Sequence, residues 1–272
     1  MLKVLLPTDF TVQSDYALII LQRMSERLPL EIHFLHVLNF PETVAFSATG
    51  AIETCGEVDA IYLKEMKTLA ERKLKELKTT YPNVHTHLEL GKTTDTILSF
   101  SKSHHFDFIA MGTKGAHGFI EKISGSETQH VARKSTIPVL SLMCNRSDIQ
   151  LKNIVLVHDF KASGPQNLEL LQLLLQHFNA TLHLLQISKK QTEHEAIKQN
   201  MKTFAHTNGI NNYVPHVLED SDIEQGVIHF NQMQEIDLIY IGTHGKGSFF
   251  HTSATEQLIN HIYKPIISFP IK

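Results

Sequence analysis

The sequence predicts an α/β protein built as two tandem, doubly wound domains, each around a parallel sheet. Three observations carry that prediction. First, the chain repeats itself: KVLLPTDF (Lys3 to Phe10) lines up with NIVLVHDF (Asn153 to Phe160), and LEIHFLHVL (Leu30 to Leu38) with ATLHLLQIS (Ala180 to Ser188). FDFIAMGTKG (Phe106 to Gly115) lines up with IDLIYIGTHG (Ile236 to Gly245), and STIPVLSL (Ser135 to Leu142) with IYKPIISF (Ile262 to Phe269). Four matched segments in one order outweigh any single match. Second, short apolar runs alternate with segments of helical periodicity, the pattern of parallel strands joined by crossover helices. Third, a glycine-bearing loop directly follows one of the buried runs, where such sheets open onto ligands.

In the first half, Lys3–Leu6 reads as a strand and Val12–Arg27 as an amphipathic helix, with Tyr16, Ile19, Ile20 and Met24 on one face. Glu31–Leu38 is the next strand. Pro41–Gly56, with its small residues, Gly50 and Gly56, reads as a loop. Glu57–Thr80 is a long helix with an Ile61, Leu63, Met66, Leu69, Leu74, Leu77 pattern and a solvated charged face. Val84–Leu90 is a strand, Thr94–Ser103 a helix, and Phe106–Met111 and Ile137–Met143 are the last two strands. Right-handed crossovers put helices on both faces. The two halves meet at a short polar junction, Cys144–Gln150, which favours close packing over free swinging. This divides the chain into domains at 1–146 and 151–272.

The stretch Met111 to Thr128 organises the first half. A buried strand runs into Gly112, then Gly115, and a helix follows whose first turn carries Gly125, Ser126 and Thr128. Glycine lets backbone approach a bulky ligand. The free N–H groups and positive dipole end of a helix N-terminus favour phosphate, and Ser126 and Thr128 add hydroxyls. Ordinary turn punctuation and helix capping explain the same residues equally well. Neither a G-x-x-x-x-G-K-[ST] nor a G-x-G-x-x-G loop occurs.

At these residues the chain resembles the universal stress protein family, in its ATP-binding branch. The match is carried by Gly112-x2-Gly115-x9-Gly125-Ser126, by the opening LLPTDF (Leu5 to Phe10), and by Leu35-His36-Val37. The resemblance implies a Rossmann-like, nucleotide α-hydrolase-like domain with five strands in the order 3-2-1-4-5. It also implies ATP, with or without magnesium, as the ligand. Pro7, Thr8, Asp9 and Val37 would frame the adenosine, with Met111 walling the pocket. Gly112, Gly115, Gly125, Ser126 and Thr128 would hold ribose and phosphates. On pattern alone Asp9 serves equally as a cap for the following helix. Lys114 and His117 are left unassigned. Single-domain relatives commonly pair, so the two halves are expected to form an internal pseudo-dimer, joined by edge pairing near Ile137–Met143 and Pro265–Phe269, and a homodimer is a further option.

The second half departs from the motif. Gly242 and Gly245 persist, but Thr252 stands where Gly125 stands, and the loop is three residues shorter. Ser253 and Thr255 match Ser126 and Thr128. His158 replaces Thr8, Val157 replaces Pro7, and Asp159 keeps the Asp9 place. One nucleotide per chain, in the first half, is the expectation. His158, Asp159, His244 and His251 together could bind zinc or simply line a vestigial cleft. His85 and His87 share a face of one strand, a coincidence on pattern alone. No metal ligand and no catalytic residue is assigned.

Composition sets the remaining bounds. The 272 residues are 42% hydrophobic with a formal net charge of -3, enough for two cores and without the basic stripe of a nucleic-acid binder or the polybasic cluster of a membrane-surface protein. Two cysteines, Cys55 and Cys144, form neither a disulfide framework nor a zinc spacing. With no signal-like N-terminus and no membrane-length apolar run, a cytoplasmic setting is expected. The function expected is an ATP-binding regulatory or stress-response protein with unknown protein partners, hydrolysing ATP slowly at most. Two alternatives stand beside it. One is a His-rich metal-binding or non-nucleotide scaffold. The other is an ATP-using enzyme of the nucleotide α-hydrolase-like class, against which PTDFTVQS (Pro7 to Ser14) lacks a glycine-serine-rich pyrophosphate loop.

Overall fold

The computed structural model describes residues 1–39, 44–46, 52–54, 57–113, 123–161, 164–189, 193–243, 255, 258–259, 261 and 262–271; at 44–46, 52–54, 57–60 and 123–126 it describes the backbone alone. The first half contains β1 (Leu2–Pro7), α1 (Val12–Ser25), β2 (Leu30–Leu38), β3 (Val44–Phe46), β4 (Ile52–Thr54), α2 (Glu57–Thr80), β5 (His85–Leu90), α3 (Thr93–Ser103), β6 (Phe108–Gly112), α4 (Ile123–Lys134) and β7 (Val139–Leu142). The second contains β8 (Asn153–Val157), α5 (Glu169–Phe178), β9 (Thr181–Ser188), α6 (His194–Thr207), β10 (Val214–Glu219), α7 (Ile223–Met233), β11 (Leu238–Gly242) and β12 (Ile266–Phe269).

Ten strands form one sheet in the order β10-β9-β8-β11-β12-β7-β6-β1-β2-β5. Each half contributes five parallel strands in the order 3-2-1-4-5. The halves join where β12 runs antiparallel to β7, with Ile267 opposite Leu140. Each of these strands would otherwise end its half-sheet with unpaired backbone groups, and the pairing satisfies both rows. Buried strands carry apolar side chains to both faces: Val4 and Leu6 enter one core layer, Leu5 the other. The first layer runs unbroken across the junction, through Ala17 and Leu21 of α1, Ile149 and Leu151, and Leu171 and Leu174 of α5. The imidazole of His177 bonds the Arg27 carbonyl at 2.8 Å and adds a polar tie between the halves.

Three sequence expectations are corrected. The region read as a loop, Pro41–Gly56, contains the antiparallel hairpin β3–β4, whose three-residue strands are too short to show a period. The buried face of α1 is not the expected one: Tyr16 and Ile19 are only half-buried, and Ser14, Ala17, Leu18 and Leu21 are buried with Ile20 and Met24. Small residues are needed where a helix lies close to a sheet. Ile61, counted as core, is 59% exposed, and Leu63, Ala70 and Leu74 carry the buried face of α2. Among the described residues no helix is long and apolar enough to cross a membrane.

Candidate functional site

The carboxyl end of β1 is shaped by a compact polar turn. The Thr8 N–H donates to the Leu35 carbonyl at 2.9 Å, the last rung to β2. Phe10 then takes a left-handed conformation (φ 60°). That strain is offset locally, since the Phe10 N–H donates to Thr8 Oγ1 at 3.0 Å. The Thr8 hydroxyl in turn donates to Ser14 Oγ at 3.0 Å, and Ser14 donates to the Thr11 carbonyl at 2.7 Å. Asp9 Oδ1 accepts from the Thr11 N–H at 3.1 Å and from the Thr11 hydroxyl at 2.5 Å. The residue at the helix start is therefore Thr11, without a side-chain cap of its own, and Asp9 fastens it from two positions upstream. Asp9 remains exposed, and its Oδ2 has no hydrogen bond among the described residues.

Beside this turn a cavity of about 210 Å³ opens between the ends of β1, β2 and β6 and the starts of α1, α3 and α4. Pro7, Thr8, Asp9, Val37, Met111, Gly112 and Thr128, all expected site residues, line it. Leu35, Val37, Ile97 and Met111 give it an apolar wall; Asp9, Asn39, Thr93 and Glu127 give it polar rims. Gly115, Lys114 and His117 lie outside the described residues. Gly125 and Ser126 fall in the first turn of α4, which begins at Ile123.

Several lining residues were not expected. The His36 imidazole bonds the Thr8 carbonyl through Nδ1 at 2.7 Å and packs on Phe10, with ring centroids 4.5 Å apart. Because a carbonyl only accepts, Nδ1 carries the proton. Burial lowers the His36 pKa, so the neutral ring presents Nε2 as an acceptor. Asn39 accepts from the Thr93 N–H at 3.2 Å and from its hydroxyl at 3.1 Å, which satisfies the first turn of α3. Thr94 donates to the Glu127 carboxylate and links α3 to α4. Each of these pairings joins residues more than 25 apart in sequence, beyond the reach of local pattern.

Gly112 has a structural reason to be glycine. A Cβ there would lie 2.0 Å from the Gln13 carbonyl oxygen and 2.3 Å from its carbon. The crowding neighbour is the backbone of α1 rather than a ligand. Thr128 donates its hydroxyl proton to the Gly112 carbonyl at 3.0 Å and is buried. The donor expected to face a phosphate is thus committed to fastening α4 to β6.

The second half repeats the turn and changes its surroundings. His158 N–H donates to Leu185 at 3.1 Å, Phe160 is left-handed (φ 52°), and Asp159 Oδ1 accepts from the Lys161 N–H at 3.2 Å. His158 Nδ1 accepts the Phe160 N–H at 2.7 Å, the part Thr8 plays in the first half. Burial pushes the His158 pKa down to about 4, against the opposing pull of Asp159. At Gly242 a Cβ would meet Ile271 Cδ1 at 2.2 Å, so a side chain packs where the Gln13 backbone packs on Gly112. Thr255, the counterpart of Thr128, is buried with no hydrogen-bond partner for its hydroxyl among the described residues. His244, Gly245, His251, Thr252 and Ser253 lie outside the described residues.

A sequence model described as the Universal stress protein family matches residues 1–142. A curated relative, Universal stress protein MJ0577 of Methanocaldococcus jannaschii, is 28% identical over 149 residues, which cover 51% of this chain and 92% of the relative. Among solved structures, a universal stress protein from Archaeoglobus fulgidus superposes over 98% of both chains with a TM-score of 0.73 at 18% identity. A functionally unknown protein from Pseudomonas aeruginosa covers 99% of this chain, and 92% of its own, at a TM-score of 0.61 and 14% identity. These likenesses extend the shared fold over the second half, and the family match over residues 1–142 places the chain in the universal stress protein family.

Proposed function

We propose that this chain is a regulatory nucleotide-binding protein that holds one ATP in its first half. The carrying observation is that seven residues chosen from separate sequence motifs line a single cavity at the carboxyl ends of β1, β2 and β6. That end of a parallel sheet is where open α/β folds take ligands. Val37, Ile97 and Met111 would enclose the adenine, and the free oxygen of Asp9 would accept from the ribose hydroxyls. The start of α4, with Gly125 and Ser126, would receive the phosphates through its N–H groups and dipole. Glu127 lines the same cavity, so magnesium–ATP suits it better than the free anion: the metal would offset like charge. No side chain is given a catalytic role.

The second half is read as a domain of the same kind whose cleft is closed off by substitution. Ile271 against Gly242, His158 in place of Thr8, and the shortened 245–252 loop all support that reading. The pairing of β7 with β12 supports an internal pseudo-dimer of domains 1–146 and 151–272. Titration calorimetry of the full chain with ATP and magnesium tests the proposal. The expected result is one nucleotide per chain; two equivalent sites, or none, would overturn it.

A further inference from the structure

At the amino end of β2, away from the cavity, imidazoles and a carboxylate converge. In the β2–β5 register His33 stands opposite His85. His33 Nε2 lies 2.8 Å from Glu31 Oε1, and His85 Nε2 lies 3.5 Å from the same oxygen. One ligand atom from each of Glu31, His33 and His85 falls within 4.8 Å of the others. Two ligands bound tetrahedrally to zinc at about 2.0–2.1 Å stand about 3.3 Å apart. These two separations straddle that value; the His33 and His85 rings stack at 4.4 Å, so the exposed His85 ring must turn for its lone pair to meet the same ion. His33 is buried, Glu31 half-buried and His85 exposed, so the open side admits water as a fourth ligand.

The other nitrogen of His33 is already engaged. Its Nδ1 lies 2.9 Å from His87 Nε2. This is the outer-sphere contact that orients a metal-ligating imidazole. Without metal, His33 Nε2–H donates to Glu31, and His87 Nε2–H donates to His33 Nδ1. With metal on His33 Nε2, its proton moves to Nδ1 and is donated to His87 Nε2, whose own proton passes to its Nδ1. The proton count is unchanged. Lys3 is the cation that bears on this cluster; its ammonium is engaged by the His104 carbonyl at 3.1 Å and sits over the Phe106 ring at 4.8 Å.

The second half contains an internal comparison. His183 Nδ1 lies 3.0 Å from His216 Nε2, and their ring centroids are 5.2 Å apart, as are those of His33 and His87. Phe230 packs on His216 as Phe100 packs on His87. The imidazole pair is therefore a repeated architectural unit. Thr181 and Val214 stand where Glu31 and His85 stand, so only the first half completes a ligand set.

We propose that Glu31, His33 and His85 form a binding site for a divalent first-row transition metal, zinc foremost, oriented by His87. It is independent of the nucleotide reading: four residue steps along the strand separate His33 from Val37, about 13 Å. Untagged full-length chain, stripped with a chelator and titrated with zinc against a chromophoric competitor, tests it. Glu31→Gln and His85→Gln, both on the solvent side, should each weaken zinc binding at least tenfold. His216→Gln, in the unfinished pair, should leave it unchanged. Cobalt substituted for zinc should show the intense visible bands of a four-coordinate ion, lost in His85→Gln. Failure of the wild-type chain to take up zinc, or retention of wild-type affinity by both first-half variants, would overturn the assignment.

Discussion

The hydroxyl of Thr128 on α4 donates to the carbonyl of Gly112 at the end of β6, across 3.0 Å. The bond fixes where α4 starts relative to the strand end, and so fixes where its N–H groups point. Thr128→Val keeps the shape and removes the donor, leaving the Gly112 carbonyl short of a partner. Denaturant unfolding should show a loss of about 1–2 kcal/mol, with Thr128→Ser close to wild type.

Gly112 and Gly242 occupy matching strand ends and should respond differently to alanine. At Gly112 the new Cβ would strike the Gln13 backbone, which cannot move without shifting α1. At Gly242 it would meet the flexible tip of Ile271. Gly112→Ala should cost about 3 kcal/mol or more and Gly242→Ala about 1–2 kcal/mol, the ordinary range for overpacking. The comparison is of unfolding midpoints in one denaturant.

Asp9 has two candidate duties, fastening Thr11 and receiving a nucleoside. Asp9→Ala should weaken ATP binding by about 1–3 kcal/mol, the range for a charged hydrogen bond. Thr11→Ala removes the hydroxyl contact to Asp9 while keeping the acceptor, and should leave affinity near wild type. Loss of thermal stability in Asp9→Ala with ATP affinity unchanged would confine Asp9 to the turn.

Gly125 stands in the first turn of α4, the turn proposed to receive the phosphates. Gly125→Asp adds both bulk and like charge, so calorimetry should register no ATP binding. Thr252→Asp, at the matching position of the second half, should change affinity little. The reverse pattern would place the working pocket in the second half and overturn the assignment to the first.

His158 links stability to pH. It is neutral when buried, with a folded pKa of about 4 against an ordinary value of 6.5. Between these values the unfolded chain binds the proton and the folded chain does not. Stability is therefore full above about pH 6.5 and falls as pH drops toward 4, by about 3 kcal/mol at most from this group. His158→Thr installs the first-half residue, which can accept the Phe160 N–H as Thr8 accepts that of Phe10. It should lower stability at pH 7, by loss of ring packing against Phe204, and flatten the acid limb. Unfolding midpoints at pH 7 and pH 5 decide.

Sequence alone determined what local pattern encodes. Apolar runs and their repetition gave the strands, and the order of motifs gave the half-sheet order through a family resemblance. Asp9 and Gly112 were legible as punctuation at strand ends, which is itself local, whereas Pro7, Thr8, Val37 and Met111 entered the site only through the family resemblance. Tertiary structure decided the rest. The three-residue strands β3 and β4 have no readable period. Gly112 is glycine because of Gln13, ninety-nine positions upstream. The Thr128 hydroxyl is spent on a carbonyl that only the packing of α4 on β6 brings near. Glu31, His33, His85 and His87 share a face, but strand alternation could place them only two by two. Their meeting depends on β2 lying parallel beside β5 with His33 opposite His85, and register between strands so distant in sequence is set by the buried faces of the whole sheet.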